Sequence, residues 1–479
     1  MTLGSLLTEH PFGDDQPLLH GLERHLTAGR ARAAVAERAE QLAAAGVCAG
    51  RPVAVRHESG VDTVVSMFAV WAAGGVFVPL NPRLPDAEAA RIEADTGAAA
   101  RIDDAGVTVL DGAVTHDAGV AFVLWTSGTT GRPTPILHHH DAYLEIIDRV
   151  LGPLRGSAAA TSETPSTSPS TTGAPPAQAP AAKTPTPNLI PVSMALNAGI
   201  YNALFGLRAG AEVVLMDRFD PVDFATLVAR HQIRSTVLPP PAMVMLCDEP
   251  AVDDLTPLRY VRSITAPLSP FQARRFIDRF GVTVLNGYGQ AELGEVVGWT
   301  AADARDHPER LGAAGRPHPG VSVRVDDPDD NGVGELHVRP PVPPSDGVRA
   351  GLGDRLGADG FVRTGDLARI DDAGFVWIEG RIGDLVNRGG NKVPPVEVEE
   401  VLEAVPGVRE AAVVGERDDR LGEVPVAYVV ADDAVTDDIL DAACRAALVP
   451  YKVPVRYERV AALPRSEVGK ILKRELGRS

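Results

Sequence analysis

Between Arg51 and Trp299 the chain alternates short apolar runs with longer stretches of helical period, and that alternation restricts the fold more than any other feature. Residues 52–56, 76–80, 189–192, 212–216, 235–238 and 282–285 read as strands, whereas 61–73, 198–207, 221–231 and 270–280 read as helices. A parallel crossover needs a helix-length connection, so the pattern predicts largely parallel sheets covered by helices. After residue 336 the texture changes to strand pairs with tight turns, as in 367–370, Asp371-Asp372-Ala373-Gly374 and 375–378, a small β-barrel-like part. Residues 380–383 read as a boundary. Beyond them a helix at 396–404, strands at 411–415 and 424–430, and a helix at 436–448 make a small α+β unit. The expected class is α/β, with a large N-terminal domain at 1–379 and a small α+β C-terminal domain at 380–479. A length of 479 residues also exceeds what one core supports. Residues 157–187 contain no Val, Ile, Leu or aromatic residue and have nothing to bury, so they are expected to form a disordered surface insertion.

Charge narrows the partners. A net charge of −18 repels nucleic acid and anionic membranes, and no basic patch offsets it. Cys48, Cys247 and Cys444 lack metal-ligand spacing and read as free thiols of a reducing compartment. The start of the chain carries no signal-peptide pattern, and no apolar run reaches spanning length. A cytoplasmic protein without stable membrane insertion is expected.

The apolar run 120–125 leads directly into Thr126-Ser127-Gly128-Thr129-Thr130-Gly131. Glycines there let backbone N–H groups approach a phosphate, and the hydroxyls can donate to its oxygens. The spacing is not that of a P-loop, which needs G-x-x-x-x-G-K-[ST]. A second landmark, Leu463-Pro464-Arg465-Ser466-Glu467-Val468-Gly469-Lys470, places a lysine after a glycine turn. Two such sites far apart in sequence point to a nucleotide handled between two domains.

Five motifs in order resemble the adenylate-forming enzymes, which include acyl-CoA synthetases, luciferases and peptide-synthetase adenylation domains. They are TSGTTGRP at 126–133, NGYGQAE at 286–292, RTGDLARIDDAGFVWIEGR at 363–381, NRGGNKVPPVEVEEVL at 387–402 and LPRSEVGKILKREL at 463–476. The resemblance covers nearly the whole chain and implies two half-reactions. A carboxylate attacks the α-phosphate of ATP to give an acyl-adenylate and pyrophosphate, and a thiol then displaces AMP. On that resemblance, Ser127–Gly131 with Thr126 cradle the β- and γ-phosphates, and Glu292 with Thr130 holds Mg²⁺. Tyr288, next to Gly289, packs against the adenine. Asp366 accepts both ribose hydroxyls, and Arg381 supports it. Lys470 bridges the carboxylate and the α-phosphate. Gly383 falls at the hinge position, and rotation there brings Gly390 toward a pantetheine tunnel. The run Asn387–Lys392 looks most like acyl-CoA synthetases and favours coenzyme A as acceptor. The acid is expected beside Met194, Asn197, Ala198, Gly199, Ala266, Pro267 and Leu268, and to be apolar or aromatic.

Three positions depart from the family pattern. Thr134-Pro135 stands where most members carry Lys-Gly, which removes a charge-assisted bond of roughly 1.5–3 kcal/mol. His138, His139 and His140 follow and read as solvated histidines at a helix start. Ala291 replaces a threonine before Glu292, and Pro191-Val192-Ser193-Met194 stands where many members place an aromatic residue and a histidine beside the carboxylate. No Asp near Met194 is available to pair with an amino group, which disfavours an amino-acid substrate. Alternatives to a coenzyme A ligase are a stand-alone enzyme that loads a carrier protein or other nucleophile, and a non-catalytic nucleotide- or acyl-binding homologue.

Overall fold

A computed structural model describes residues 2–112, 114–126, 134–160, 185–264, 266–290, 292–344, 346–465 and 470–477. The chain divides into two compact units, Met1–Thr236 with Thr256–Leu258, and Val237–Leu255 with Arg259–Ser479.

The first unit contains a six-stranded sheet in the order Gly106–Val109, Ala100–Asp103, Pro52–Arg56, Val76–Pro79, Val120–Thr126, Thr134–His139. Its inner strands pair parallel and each outermost pair is antiparallel. The helix Gly60–Ala72 is buried along nearly its whole length, which accounts for its apolar residues on all sides. Ser59 starts it by accepting the Asp62 N–H through its hydroxyl. A second set of short strands, Pro17–His20, Val213–Leu215 and Asn188–Ile190, pairs parallel, and Thr236 continues it beside Leu189. His25–Thr27 closes its edge antiparallel to Pro17–His20. The predicted strand–helix alternation is observed, with ends shifted by two residues at most.

Two expectations change here. His138 is not solvated. It belongs to the strand Thr134–His139, is 6% exposed, and stacks on Phe122 with ring centroids 4.5 Å apart. Burial lowers its pKa to about 4, so it sits as a neutral core ring. His140 likewise accepts the Leu3 N–H at 3.3 Å and lies edge-on to Trp71. The helix His140–Ala160 also extends its backbone through residues 157–160, the first part of the segment read as disordered, while 161–184 lie outside the described residues. A Ser66–His57–Asp104 chain is structural: Ser66 is fully buried and accepts from Arg38 at 2.6 Å, so no substrate reaches its hydroxyl.

The second unit carries antiparallel sheets where the strand-pair texture was read. One runs Ser322–Asp326, Gly334–Arg339, Val362–Ile370, Val376–Arg381, and a smaller one runs Gly287–Gln290, Gly294–Gly298, Arg316–Pro317. Its last part is a sheet built on the long pair Val408–Asp418 and Gly422–Ala431. Ala411, Val413, Ala427 and Val429 face the helices Pro395–Glu403 and Asp437–Ala447. Ala412, Val414, Val426 and Tyr428 face the other way, where Leu463, Ile471 and Leu476 pack. Burial on both faces explains why these strands read as nearly unbroken apolar runs.

Glu403, at the end of its helix, is 7% exposed, and Gln272 of the helix Pro270–Phe280 donates to it at 3.5 Å. Burial pushes its carboxyl up to about 7 from 4.5; the Ser269 hydroxyl opposes this and the Glu399 charge adds to it. A carboxyl that binds its proton more tightly when folded makes stability fall as pH rises through that interval, with the full penalty above it. Glu403→Gln is therefore expected to stabilise the chain by roughly 1–3 kcal/mol above about pH 7, and by much less near pH 4. Melting temperatures across that range test this; a gain independent of pH would reject it.

Candidate active site

The strand Val362–Ile370 alternates inward and outward, with Val362, Thr364, Asp366 and Ala368 facing in. A carboxylate at a position that the alternation reserves for packing is unusual, since an ion there must be paired. Gly365 precedes it with φ +74°, a conformation that β-carbon-bearing residues avoid, and its N–H donates to Glu335 at 3.1 Å. Thr364 fixes the turn by donating to the Leu336 carbonyl at 2.7 Å while accepting the Asp366 N–H at 3.1 Å.

Asp366 gathers three donors. An irregularity between Leu367 and Ala368 sets Asp366 opposite Arg381 on the next strand, whose Nε donates to Oδ1 at 2.7 Å. The Tyr288 hydroxyl donates to Oδ2 at 2.6 Å and Gln290 Nε2 to the same oxygen at 3.0 Å. Gln290 also donates to the Thr364 carbonyl at 2.9 Å. Burial and then the Asp366 charge push the Tyr288 phenol up, so it stays a donor. Burial acts to lower Arg381, but the charge and hydrogen bond of Asp366 outweigh it and raise its pKa. A carboxylate has about four acceptor sites. Two on Oδ2 and one on Oδ1 are filled, so as arranged Asp366 can take one further donor, not both ribose hydroxyls.

Glu292 lies two residues beyond Gln290, and Arg355 holds both: its guanidinium donates to Glu292 Oε1 at 3.2 Å and to Gln290 Oε1 at 2.5 Å. Lys470 keeps solvent contact, yet the protein around its ammonium lowers its pKa. The Arg381 charge adds to that lowering, and Asp366 and Glu292 act against it. Its segment is positioned by Ile471, which bridges to Arg465, and by the Leu472 N–H, which donates to the Pro464 carbonyl at 2.8 Å. Asp366, Arg381, Tyr288, Glu292 and Lys470 are thus brought into one charged neighbourhood. The Glu292 carboxylate, with one oxygen on Arg355 and the other without a partner among the described residues, suits Mg²⁺, which is commonly held by one or two carboxylates, water and substrate phosphates.

Gln290 and Arg355 were not singled out from sequence. Gln290 was legible, since it lies inside the motif that carries Tyr288 and Glu292; Arg355, in the turn Gly353–Arg355, has no local signal.

Other expected positions have their own surroundings. Ser127, Gly128, Thr129, Thr130 and Gly131 lie outside the described residues, and Thr126 is described as backbone paired with Thr134. A β-carbon on Gly289 would meet the Gly294 carbonyl at 2.2 Å, so strand packing alone requires glycine there. Gly389 and Gly390 have φ +60° and +90° between the paired strands Val386–Arg388 and Asn391–Val393, which is the need of a two-residue hairpin turn. Gly383 has neither a positive φ nor a neighbour that would exclude a side chain. In the first unit Met194 is 4% exposed, Asn197 accepts from the Tyr143 hydroxyl at 2.7 Å, and Gly199 sits against the Ser193 carbonyl. In the second, Ala266 is half-buried and Pro267 exposed ahead of the helix that Ser269 caps.

The AMP-binding enzyme family profile matches residues 10–117 and 112–343, and that of the AMP-binding enzyme C-terminal domain matches 397–470. The chain belongs to the AMP-binding enzyme family. Rice (Oryza sativa subsp. japonica) 4-coumarate–CoA ligase 5 is 34% identical to this AMP-binding enzyme over 292 residues, 57% of the chain and 53% of the ligase. The match thus spans about half the length of that relative. Long-chain-fatty-acid–CoA ligase FadD13 of Mycobacterium tuberculosis is 27% identical over 477 residues, 91% of the chain and 89% of the ligase. Among solved structures, the amide bond synthetase McbA of Marinactinospora thermotolerans superposes with a TM-score of 0.80 at 26% identity, covering 99% of this chain and 98% of that one. The α/β class expected from the sequence is the class of these enzymes. No helix among the described residues is long and apolar enough to cross a membrane.

Proposed function

We propose that this AMP-binding enzyme is an ATP-dependent acid–CoA ligase. The observation that carries the reading is the buried Asp366 carboxylate, held by Arg381, Tyr288 and Gln290, with Glu292 and Lys470 beside it. Two anions react in the first step, so charge neutralisation and alignment matter more than covalent help. The acid's carboxylate oxygen attacks the α-phosphorus, the bond to the bridging oxygen breaks, and pyrophosphate leaves with that electron pair. Lys470 supplies positive charge where carboxylate and α-phosphate meet. Asp366 accepts one ribose hydroxyl directly and a second when Tyr288 or Gln290 lets go. Thr126, Ser127, Gly128, Thr129, Thr130 and Gly131 hold the outer phosphates. Glu292 with Thr130 would hold Mg²⁺, which neutralises phosphate charge when bound.

In the second step a thiolate attacks the acyl carbon and AMP leaves. The proposed mobile part is 380–479, turning at Gly383. Glycine is not demanded there by the described backbone, which fits a residue whose freedom is used in another conformation. Coenzyme A as acceptor is supported by the run Asn387–Lys392 and by the CoA ligases among the relatives. The likeness to an amide bond synthetase supports a second reading, in which an amine takes the acyl group; a carrier protein is the other acceptor left open by the sequence. Met194, Asn197, Gly199, Ala266 and Pro267 remain the proposed contacts of an apolar or aromatic acid.

Pyrophosphate release with ATP, Mg²⁺ and a panel of fatty and aryl acids tests the reading. Acid-dependent release that turns over only with coenzyme A, yielding AMP and thioester, is expected. Turnover with amines or an acyl carrier instead would select the second reading, and no acid-dependent release with ATP bound would reject both.

A further inference from the structure

We propose that the first unit carries a divalent-cation site of the zinc class, formed by His20, Glu212 and His231. The three come from separate, fixed elements. His20 ends the strand Pro17–His20, and Val214, two residues after Glu212, pairs with it. The Glu212 backbone is itself held, its carbonyl accepting the Asn188 N–H at 2.8 Å. His231 closes the helix Pro221–Arg230 by donating its N–H to the Leu227 carbonyl at 2.9 Å. The next residue, Gln232, takes φ +53°, and Ile233 donates back to Val228 at 3.0 Å, which fixes where the helix ends.

Each residue offers one ligand atom, and all three lie within 4.8 Å of one another. The rings of His20 and His231 stand 4.7 Å apart. Ligand atoms around a tetrahedral zinc are about 3.4 Å apart, given metal–ligand bonds of about 2.1 Å, so side-chain rotation suffices to close the site. The decisive detail is His20 Nε2. It is buried and has no hydrogen-bond partner among the described residues, although Glu212 Oε2 is only 2.9 Å away. The two atoms are close but not aligned to share a proton, and a cation between them requires no such alignment.

Burial favours the neutral form of all three groups, lowering both imidazoles and raising the Glu212 carboxyl. Burial lowers His20, and the charge of His25 on the paired strand adds to that. Burial lowers His231 too, with His20 and Arg230 adding and Glu212 opposing. Neutral imidazole is the form that binds metal. Two imidazoles, one carboxylate and an open fourth position form a zinc donor set; a hard ion such as Mg²⁺ would prefer oxygen alone. None of the three belongs to the candidate active site. A bound ion would tie a strand, the start of its neighbour and a helix end together, so its effect is on the stability of this unit.

The test uses the full chain without a polyhistidine tag, titrated with Zn²⁺ by calorimetry beside Glu212→Gln and His231→Ala. One ion per chain is expected to bind the wild type and raise its melting temperature. Both variants are expected to bind it about 100-fold more weakly or worse, since losing even an outer partner of a metal ligand costs about 10–100-fold. They should also lose the zinc-dependent thermal shift while keeping acid-dependent pyrophosphate release. Glu212→Gln is nearly isosteric and carries the test alone if His231→Ala does not fold. Unchanged stoichiometry and affinity in a folded variant, or no zinc binding by the wild type, would overturn the proposal.

Discussion

Lys470→Ala is expected to lower acid-dependent ATP–pyrophosphate exchange by about 10²–10³-fold, the scale of removing one preorganised electrostatic group from a site where charge develops. The physical reason is specific to the first half-reaction. Carboxylate and α-phosphate repel until a cation stands where they meet, and Lys470 already feels Arg381, Asp366 and Glu292. The second half-reaction starts from a mixed anhydride and has no such repulsion. Purified variant supplied with acyl-adenylate and coenzyme A is therefore expected to make thioester at nearly the wild-type rate. Lys470→Arg is not expected to rescue exchange, because a planar guanidinium cannot occupy the place of a compact ammonium. Equal loss of both half-reactions by a folded variant would remove the assigned role, and so would unimpaired exchange.

Much of this arrangement was legible in the sequence, and the residues that were not share a cause. Strand–helix alternation fixed the class because each buried strand of the first unit leaves an apolar run, as at Val53, Ala54 and Val55. The strands Pro17–His20 and His25–Thr27 escaped because three or four residues ending in polar His20 or Thr27 carry no periodicity to detect. His138 was misread for the opposite reason. Three adjacent histidines look like a wet surface, but the strand alternates, and the partner below His138 is the aromatic ring of Phe122. In the site, Asp366, Arg381 and Lys470 were found through motifs. Sequence could not foretell that Tyr288 and Gln290 already occupy Oδ2 of Asp366, nor that Arg355 reaches Glu292. Those contacts join segments 63–78 residues apart and depend on register, not composition. The glycines at 289, 389 and 390 each have a backbone reason in strand packing or turn geometry, which a motif match alone does not reveal.

Asp366→Asn is the second large effect, and it separates a nucleotide ligand from a structural anchor. The substitution keeps the shape but removes the charge that raises Arg381 and anchors it through Oδ1. A hydrogen bond to a charged group is worth about 1.5–3 kcal/mol, so ATP is expected to bind about 10–150-fold more weakly if a ribose hydroxyl uses this carboxylate. Loss of the Arg381 pair alone is expected to cost little, because that arginine side chain is 50% exposed and solvent screens the interaction. Calorimetric ATP binding and melting temperature, measured on the same variant, distinguish the two roles. Weak binding with a nearly unchanged melting temperature is the expected result. Undiminished binding in a destabilised variant would mean that Asp366 serves only to hold Tyr288, Gln290 and Arg381. Tyr288→Phe sharpens the comparison: it removes the donor at 2.6 Å from Oδ2 and leaves that oxygen free for a second ribose hydroxyl. If nucleotide and tyrosine compete for the same lone pair, this variant loses some ring orientation but gains discrimination between ATP and 2′-deoxy- or 3′-deoxy-ATP. Unchanged discrimination would show that Tyr288 and the ribose do not meet at Asp366.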